Sequence, residues 1–328
     1  MTRHAASRER SAGIAADKGR KIQAQVDARD REAPAPKPAE KPVQAGQRDY
    51  PARFPPQHLA KPGLEADLAE PPLFEAPVYK GSEKLKDMVA LVTGGDSGIG
   101  RAVAVLYARE GADIAIVYLD EHQDAEATKA AIEAEGRRCL LIPGDVSNAA
   151  FCDSAVKRTV DEFGRLDILV NNAAFQEHER KIEDLSDAHF DLTLKTNLYG
   201  YFYMARAAVP HMKEGSSIVM TGSVTGIMGS RNLLDYSMTK GGIHAFAKSL
   251  AAHLIDRGIR VNAVAPGPVW TPLNPADKPA DEVEDFGSDT PMKRAAQPEE
   301  IAPAFVFLAA PSCSSYITGE VLPIIGGY

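Results

Sequence analysis

About three quarters of the chain, from residue 86 onward, alternates between short apolar runs and longer amphipathic stretches. A short apolar run bounded by turn residues is typical of a buried strand, and a longer amphipathic stretch is typical of a helix. Helices that alternate with apolar strands predict a parallel sheet covered on both faces, the doubly wound α/β architecture. The ligand site of such a fold lies at the carboxyl ends of the strands. The predicted strands are 88–92, 113–118, 138–142, 168–170, 217–220 and 260–265, and the predicted helices end at 111 or span 124–135, 149–163, 190–211 and 236–256.

The N-terminal part lacks this alternation. Residues 1–46 have almost no large apolar side chains, which predicts a disordered tail with at most a transient helix around 15–28. Residues 47–85 keep the prolines but add leucines and aromatic residues, which favour burial although proline precludes a regular helix or central strand. We therefore predict that 47–85 is an extended arm lying on the body or on a neighbouring subunit, and that 86–328 is a single folded domain.

Composition and charge exclude several classes of protein. The chain has 328 residues, of which 44% are hydrophobic and 25% charged, so most of it is expected to fold. The formal net charge of -8 disfavours a nucleic-acid or anionic-membrane surface. Three scattered cysteines indicate neither a disulfide framework nor a zinc site and suit a reducing compartment. No stretch has the apolar character of a signal peptide or a membrane span, and a cytoplasmic protein without a metal site is predicted.

A glycine-rich loop, TGGDSGIG at 93–100, follows the first predicted strand and opens a helix. Missing side chains allow the backbone to approach a pyrophosphate, and the helix N-terminus supplies N–H groups and the positive end of a dipole. The alternative is a tight turn without a ligand. The position of the loop between strand and helix favours phosphate binding.

A second candidate for chemistry is the pair Tyr236 and Lys240. Residues four apart in a helix share one face, so the phenol and the ammonium can reach one pocket. A nearby cation favours the ionised phenol, and we expect the pKa of Tyr236 to be lowered toward the range of an acid/base catalyst. The alternative for such an isolated match is a surface pair.

The motifs taken together resemble the short-chain dehydrogenase/reductase family. In the family's order they are TGGDSGIG, GDV at 144–146, NNAA at 171–174, Asn197, Ser223, YSMTK at 236–240 and PGPVWT at 266–271. The resemblance covers 86–328 and implies a Rossmann-like fold and a homotetramer. The arm, with FPPQH and PVYKGSEKLK, further resembles a bacterial subgroup described as glucose/ribitol dehydrogenase-like or general-stress oxidoreductases.

The resemblance implies a reaction and a catalytic set. Tyr236 would be the acid/base, Lys240 would hold the nicotinamide ribose and keep the phenol acidic, Ser223 would bind the substrate oxygen, and Asn197 would anchor a water relay. Hydride would pass between nicotinamide and the carbon of an aldehyde, ketone, sugar or polyol. The alternative function is a nucleotide-binding redox sensor or structural subunit without turnover. Thr221 and Thr225 compete with Ser223 for the hydroxyl role, and the family's spacing favours Ser223.

The resemblance also implies the cofactor contacts, several of which have structural alternatives. Asp145 could cap a helix, Thr271 could only end a strand, Trp270 could be substrate wall or packing, and Asn171 is interpreted as structural. The implied contacts are Gly94, Asp96, Ser97, Gly98, Ile99, Gly100, Tyr118, Asp120, Asp145, Val146, Asn172, Ala173, Ala174, Lys240, Pro266, Gly267, Val269 and Thr271.

The choice between NAD and NADP depends on the end of the second strand, where an acidic side chain binds a free ribose 2′-hydroxyl and repels a phosphate. Tyr118 stands where NAD-preferring members carry that acid, and Leu119 stands where NADP-preferring members often carry arginine. Asp120 and Glu121 are close enough to replace the acid. We predict NAD as the cofactor, with NADP as the alternative.

Substrate choice is expected to depend on 175–181, on the segment after Ser223, and on 271–292. The last segment is polar, acidic and rich in proline, which is the composition of a mobile lid. Its acids and Asn274 could face a polyol or a sugar. A solvated loop is the alternative.

Overall fold

Seven parallel strands form one sheet in a computed structural model that describes residues 41–327. Their order across the sheet is β3-β2-β1-β4-β5-β6-β7. The order reverses direction between β1 and β4, and this is where a doubly wound fold places its ligand. The predicted Rossmann-like architecture is confirmed. The strands are β1 (Val89–Thr93), β2 (Asp113–Tyr118), β3 (Cys139–Pro143), β4 (Ile168–Asn171), β5 (Ser217–Thr221), β6 (Arg260–Pro266) and β7 (Val321–Ile324).

Helices connect the strands and cover both faces of the sheet. One face is covered by α1, α2 and α8, and the other by α3, α5 and α7. Every residue of β1, β4, β5 and β6 is buried, as expected of central parallel strands. The helices are α1 (Gly98–Arg109), α2 (His122–Ala134), α3 (Ala149–Phe163), α4 (Asp187–Leu194), α5 (Gly200–Ala208), α6 (Thr225–Met228), α7 (Leu234–Leu254), α8 (Pro298–Ala309) and α9 (Pro311–Ser314).

Two features of the helices differ from the sequence prediction. The long helix predicted at 190–211 is interrupted by one π-helical turn, Lys195–Tyr199, and ends in a 3-10 turn, Val209–His211. Helix α8, a buried helix against α1, was not predicted at all. Pro303 lies inside α8, and a proline argues against a helix interior, which weakens the helical signal of this segment.

The arm, residues 47–85, lies against the body of the same chain. Phe54 stacks on Trp270 with ring centroids 3.9 Å apart and an interplanar angle of 11°. The Trp270 indole is 1% exposed and donates from Nε1 to the carbonyl of Glu70 at 2.8 Å. Trp270 is therefore packing beneath the arm. The division of the chain at residues 46 and 85 stays a prediction.

The predicted tail falls almost entirely on residues outside the described range, including the transient helix at 15–28. Within its described part, the amide of Val43 donates to Met292 O at 2.9 Å, and Arg294 Nε donates to Val43 O at 3.1 Å. Among residues 41–327, no helix is long and apolar enough to span a bilayer.

Candidate active site

A cleft of about 870 Å³ opens at the carboxyl ends of the strands. Nearly all residues that the sequence assigned to cofactor or catalysis line it, from the glycine loop through Asp145 and Asn172 to Thr271. Ser223, Tyr236 and Lys240 line the same cleft. Two assigned residues, Gly100 and Asn197, do not line it and act from behind its wall.

The glycine loop between β1 and α1 has the geometry of a phosphate cradle. Gly94 and Gly98 have φ angles of +61° and +51°, a region that favours glycine. A Cβ on Gly98 would lie 2.9 Å from Thr271 Cγ2, and a Cβ on Gly100 would lie 1.8 Å from Gly94 O. Gly100 is thus required for close packing of the helix on the loop, not for contact with a ligand.

The first turn of α1 leaves an amide available to an anion. The structure records an acceptor for the amide of Gly98, which is Glu65 Oε2 at 2.7 Å, and for the amide of Arg101, which is Ser97 O at 3.0 Å. Within residues 41–327 it records none for the amide of Ile99. An N–H group at a helix N-terminus that lines a cleft suits the pyrophosphate of a dinucleotide.

Asn172 connects three strand ends behind the cleft. Its Nδ2 donates to Gly94 O at 3.0 Å, its Oδ1 accepts from Thr221 Oγ1 at 3.0 Å, and its amide donates to Thr93 Oγ1 at 2.9 Å. The neighbouring Asn171 is fully buried and donates to Tyr201 O at 3.1 Å, which matches the structural role inferred for it. These bonds fix the relative positions of β1, β4 and β5.

The first turns of α7 present Tyr236 and Lys240 on one face, as the spacing predicts. The Lys240 ammonium donates to Thr221 O at 2.8 Å and lies 5.3 Å from the centroid of the Tyr236 ring. Ser223 follows β5, and its Oγ accepts from the amide and the hydroxyl of Thr225 at 3.1 and 3.0 Å. Thr225 therefore orients Ser223. The pair is buried, with Tyr236 8% exposed and Lys240 1% exposed, so it is not a surface pair.

Burial is the largest influence on the pKa values of Tyr236 and Lys240. It raises the pKa of the Tyr236 phenol above its ordinary value, while the neighbouring Ser223 side chain acts in the opposite direction. Burial lowers the pKa of Lys240 to about 7. Desolvation is the largest influence on the phenol, so the expectation that the pKa of Tyr236 is lowered is wrong for this structure.

Asn197 lies in the π-helical turn and holds two elements together. Its Oδ1 accepts from the amide of Phe175 at 2.8 Å, and its Nδ2 donates to Phe175 O at 2.9 Å and to Thr239 Oγ1 at 3.1 Å. Thr239 precedes Lys240 on α7. π-Helical turns are frequent at functional sites, and this one ties the loop after β4 to the helix that carries Tyr236.

Acidic groups surround the end of β2. The Tyr118 hydroxyl is paired with His122 Nδ1 at 3.0 Å, and Asp120 is exposed. Glu121 and Asp96 are both buried, and burial together with the charge of Glu121 raises the pKa of Asp96 to about 7.

The arm supplies cleft residues that sequence reasoning missed. Lys61, Pro62 and Gly63 line the cleft. Glu65, 4% exposed, accepts from the amide of Gly98 and pairs with Arg101 Nη1 at 2.5 Å. No local pattern marks these residues, because they lie in a largely irregular proline-rich segment and their contacts with the body are distant in sequence.

The loop expected to be a polar lid is largely tied down. Asn274 is buried and donates from Nδ2 to Val269 O at 2.8 Å and to Thr271 Oγ1 at 3.1 Å. Its amide N–H groups are thus used within its own loop, although Asn274 and the loop acid Asp289 both line the cleft. The loop packs Ala276 and Val283 beneath the arm instead of exposing them.

The fold also assembles a polar cluster that the sequence did not reveal. Ligand atoms of Glu177, His178 and Asp277 lie within 4.8 Å of one another. The carboxylate of Asp277 already accepts from the amide of His178 at 2.6 Å and from Gln176 Nε2 at 2.5 Å. Protein donors therefore occupy oxygens that a metal ion would need.

The sequence comparisons agree with this geometry. The family model described as Enoyl-(Acyl carrier protein) reductase matches residues 94–328. General stress protein 39 of Bacillus subtilis (strain 168) is 51% identical over 280 residues, which cover 85% of this chain and 98% of that protein. The NADPH-dependent aldehyde reductase 1, chloroplastic, of Arabidopsis thaliana is 47% identical over 83% of this chain and 96% of its own length. Glucose and ribitol dehydrogenase of Daucus carota is 46% identical over 84% and 97%, respectively.

Solved structures show the same fold. A short chain dehydrogenase from Burkholderia cenocepacia J2315, in complex with NADP, is 36% identical and superposes with a TM-score of 0.69. The match covers 74% of this chain and 98% of that one.

Proposed function

The chain belongs to the short-chain dehydrogenase/reductase family of oxidoreductases, and we propose that it transfers a hydride between a nicotinamide cofactor and the carbon of a carbonyl or an alcohol. The observation that carries the proposal is that Tyr236, Lys240 and Ser223 line one cleft with the glycine loop. A binding protein without turnover has no chemical need for this set. The sequence relationship to general-stress proteins further supports a role in the stress response.

In the proposed mechanism Tyr236 is the acid that protonates the substrate oxygen during reduction. Burial keeps the phenol protonated at neutral pH, which is the form that an acid must have. Ser223, held by Thr225, donates to the same oxygen and stabilises the charge that develops there. Nicotinamide, when bound, supplies or accepts the hydride.

Lys240 and Asn197 complete the proposed set. Lys240 is held at the end of β5 by Thr221 O, where its ammonium can bind ribose hydroxyls and return a proton toward Tyr236. A lysine whose pKa is about 7 exchanges protons readily at neutral pH. Asn197 bonds to Thr239, the residue before Lys240, and to the backbone of Phe175. It therefore fixes the position of Lys240 relative to the loop after β4.

Observations that bear on the 2′ position of the cofactor support NAD in one case and NADP in the other. Asp120 and Glu121 after β2, together with Asp96 in the glycine loop, oppose a 2′-phosphate and support NAD. A relative is named for NADPH and a related structure contains NADP, which supports NADP. A pKa of about 7 leaves Asp96 partly protonated at neutral pH and reduces the repulsion. We propose that the protein uses both forms, with the acids setting the ratio.

Replacing Asp120 tests this proposal. We expect Asp120→Ala to shift the ratio of kcat/KM for NADH over NADPH toward NADPH by about tenfold, because one charge opposite a phosphate is removed. The ratio is measured with one substrate at fixed ionic strength. An unchanged ratio would show that Asp120 does not face the ribose, and Asp184→Ala, an exposed acid outside the cleft, is the control.

The lining of the cleft supports a carbonyl substrate with an apolar substituent. Asn274, the polar group expected to face a polyol, is bonded within its own loop. Apolar side chains, in contrast, line the cleft from several elements and favour an aldehyde or ketone with apolar groups over an aldose or polyol. They are Phe175, Leu192, Met228, Leu233, Leu273 and Phe286.

A substrate panel tests the function directly. Aldehydes, ketones, aldoses and polyols are assayed with each cofactor by the absorbance of the reduced nicotinamide. We expect kcat/KM to be highest for aldehydes and ketones that carry apolar groups. If the protein binds a nicotinamide cofactor but turns over none of the panel, the rival function, a nucleotide-binding sensor or structural subunit, is favoured.

We also propose that the protein assembles as a homotetramer through α5 and α7. Tyr199 and Phe202 are about half exposed, as is Met238 on α7. Tyr199, Phe202 and Phe246 line one apolar groove beside the catalytic helix. Large apolar groups in one patch are typical of a subunit interface, and the molar mass from light scattering checks the assembly.

A further inference from the structure

The segment 58–65 of the arm runs along the loop at 271–279, which we call the second loop. The amide of Leu59 donates to Pro275 O at 3.0 Å, and His58 Nδ1 donates to Lys278 O at 2.8 Å. A Cβ on Gly63 would lie 2.9 Å from Pro272 O. The arm and the second loop thus form one layer, and Lys61, in the middle of this segment, reaches the cleft.

The Lys61 ammonium joins the second loop to the loop at 174–181, which we call the first loop. Its Nζ donates to Gln176 O at 2.6 Å on the first loop and to Ala276 O at 3.0 Å on the second. It also pairs with Glu177 Oε2 at 2.9 Å and lies 5.2 Å from the centroid of the Phe175 ring. An ammonium has three N–H donors, and three oxygens surround this one. All three N–H donors of Lys61 are therefore directed at loop oxygens, and none is left to bind a substrate.

The charge of Lys61 also balances the polar cluster of the two loops. Glu177 and Asp277 lie close together, and Asp277 is 2% exposed. Asp277 ties the loops a second time through the amide of His178 and the side chain of Gln176. Without the ammonium, two carboxylates would repel each other across the junction that Asp277 bridges.

The first loop continues directly to the catalytic elements. Asn197 holds both backbone groups of Phe175, and Asn197 also bonds to Thr239 on the helix of Tyr236. Phe175 and Gln176 line the cleft. A shift of the first loop would therefore move the wall against which a substrate lies more than it would move Tyr236, because Tyr236 is fixed independently by α7.

We infer that Lys61 of the N-terminal arm is a positioning residue of the substrate site, which ties the two loops into one wall of the cleft. The arm is then part of the active site and not only a cover for apolar surface. This inference rests on the proposed function for its kinetic consequence, whereas its structural consequence can be measured without turnover.

The test compares Lys61→Met, Lys61→Arg and the control Lys80→Met, an exposed lysine on the same arm. Hydrogen exchange followed by mass spectrometry reports the loops without activity. Lys61→Met is expected to speed exchange in both the first and the second loop by about tenfold, since hydrogen bonds to a charged group are lost. Lys61→Arg is expected to restore part of the protection, and Lys80→Met to change neither loop.

Kinetics give the second readout. With the best carbonyl substrate, Lys61→Met is expected to raise KM about tenfold, with kcat within about threefold of the original and the dissociation constant of the cofactor unchanged. A fall in kcat alone, or unchanged exchange in both loops, would overturn the inference. If the original protein turns over no carbonyl compound, the proposed function fails, and the exchange data still decide the role of Lys61.

Discussion

Helix α7 and the N-terminal arm contribute to the same cleft in different ways. On α7, Tyr236 and Lys240 lie one turn apart, and their relative placement follows from the helical period alone. On the arm, Lys61 and Glu65 are also four residues apart, but Lys61 contacts the substrate loops whereas Glu65 contacts the first turn of α1. A spacing of four residues therefore predicts that two side chains lie on one face of a helix, but it predicts nothing about two side chains in an irregular segment.

Helix α7 and the arm also differ in the interactions that fix their positions. The α7 helix is fixed by its own backbone bonds and by buried side chains such as Ile243 and Ala247. The arm has only one 3-10 turn, Glu65–Asp67, and depends on individual contacts such as the Phe54–Trp270 stack and the Glu65–Arg101 pair. We therefore expect substitutions on α7 to affect the chemistry and substitutions on the arm to affect stability and substrate fit.

The largest expected effect concerns α7. Tyr236→Phe is expected to lower kcat by about 10³-fold, because the proton donor is lost while the ring and its packing remain. Steady-state assays give kcat, and fluorescence titration gives the dissociation constant of the cofactor, which we expect to change little. Near-normal turnover would contradict the proposed mechanism. Tyr316→Phe, at a fully exposed tyrosine, is the control.

The next effect concerns the anchor of the arm. Glu65→Gln is expected to lower the free energy of unfolding by about 3 kcal/mol, because it leaves the buried Arg101 without its closest charge partner. Urea denaturation measures this change. The control is Glu83→Gln, an arm substitution that breaks an exposed pair with Lys86 and is expected to leave stability nearly unchanged. Equal losses in the two variants would show that the buried pair does not anchor the arm.

The smallest expected effect is a pH dependence of stability caused by Asp96. This residue lies in the glycine loop, which the arm contacts through Glu65. Burial and the charge of Glu121 raise the pKa of Asp96 from its ordinary 3.8 to about 7, so between these values the unfolded chain releases a proton that the folded chain keeps. The contribution of Asp96 to stability is therefore present at low pH and is lost as pH rises toward 7.

Asp96→Asn removes this dependence. The difference in unfolding free energy between the variant and the original protein is expected to rise in favour of the variant by about 1 kcal/mol from pH 5 to pH 6. Urea denaturation at these two pH values, without added cofactor, measures the gain. Asp120→Asn, an exposed acid on the same side of the cleft, is the control. A difference between Asp96→Asn and the original protein that does not change with pH would contradict the assignment.

Much of the body could be predicted because its signals are local. Buried parallel strands appear as apolar runs, and the predicted strand at 113–118 and helix at 149–163 have the observed bounds. The glycine loop is recognisable because backbone sterics allow little else at Gly94, Gly98 and Gly100. The π-helical turn was missed because an inserted residue leaves no clear mark in a helical sequence, and α8 was missed because Pro303 argues against a helix interior.

The doubly wound sheet, the glycine loop and the placement of Tyr236 beside Lys240 follow from residues near one another in the chain, so local patterns predict them. The environment of these groups and the distant residues that join them depend on the folded chain. Burial reversed the expected direction of the Tyr236 pKa, and folding of the arm brought Lys61 between Gln176 and Ala276. Desolvation and long-range contacts depend on the whole fold, so no local pattern could reveal them.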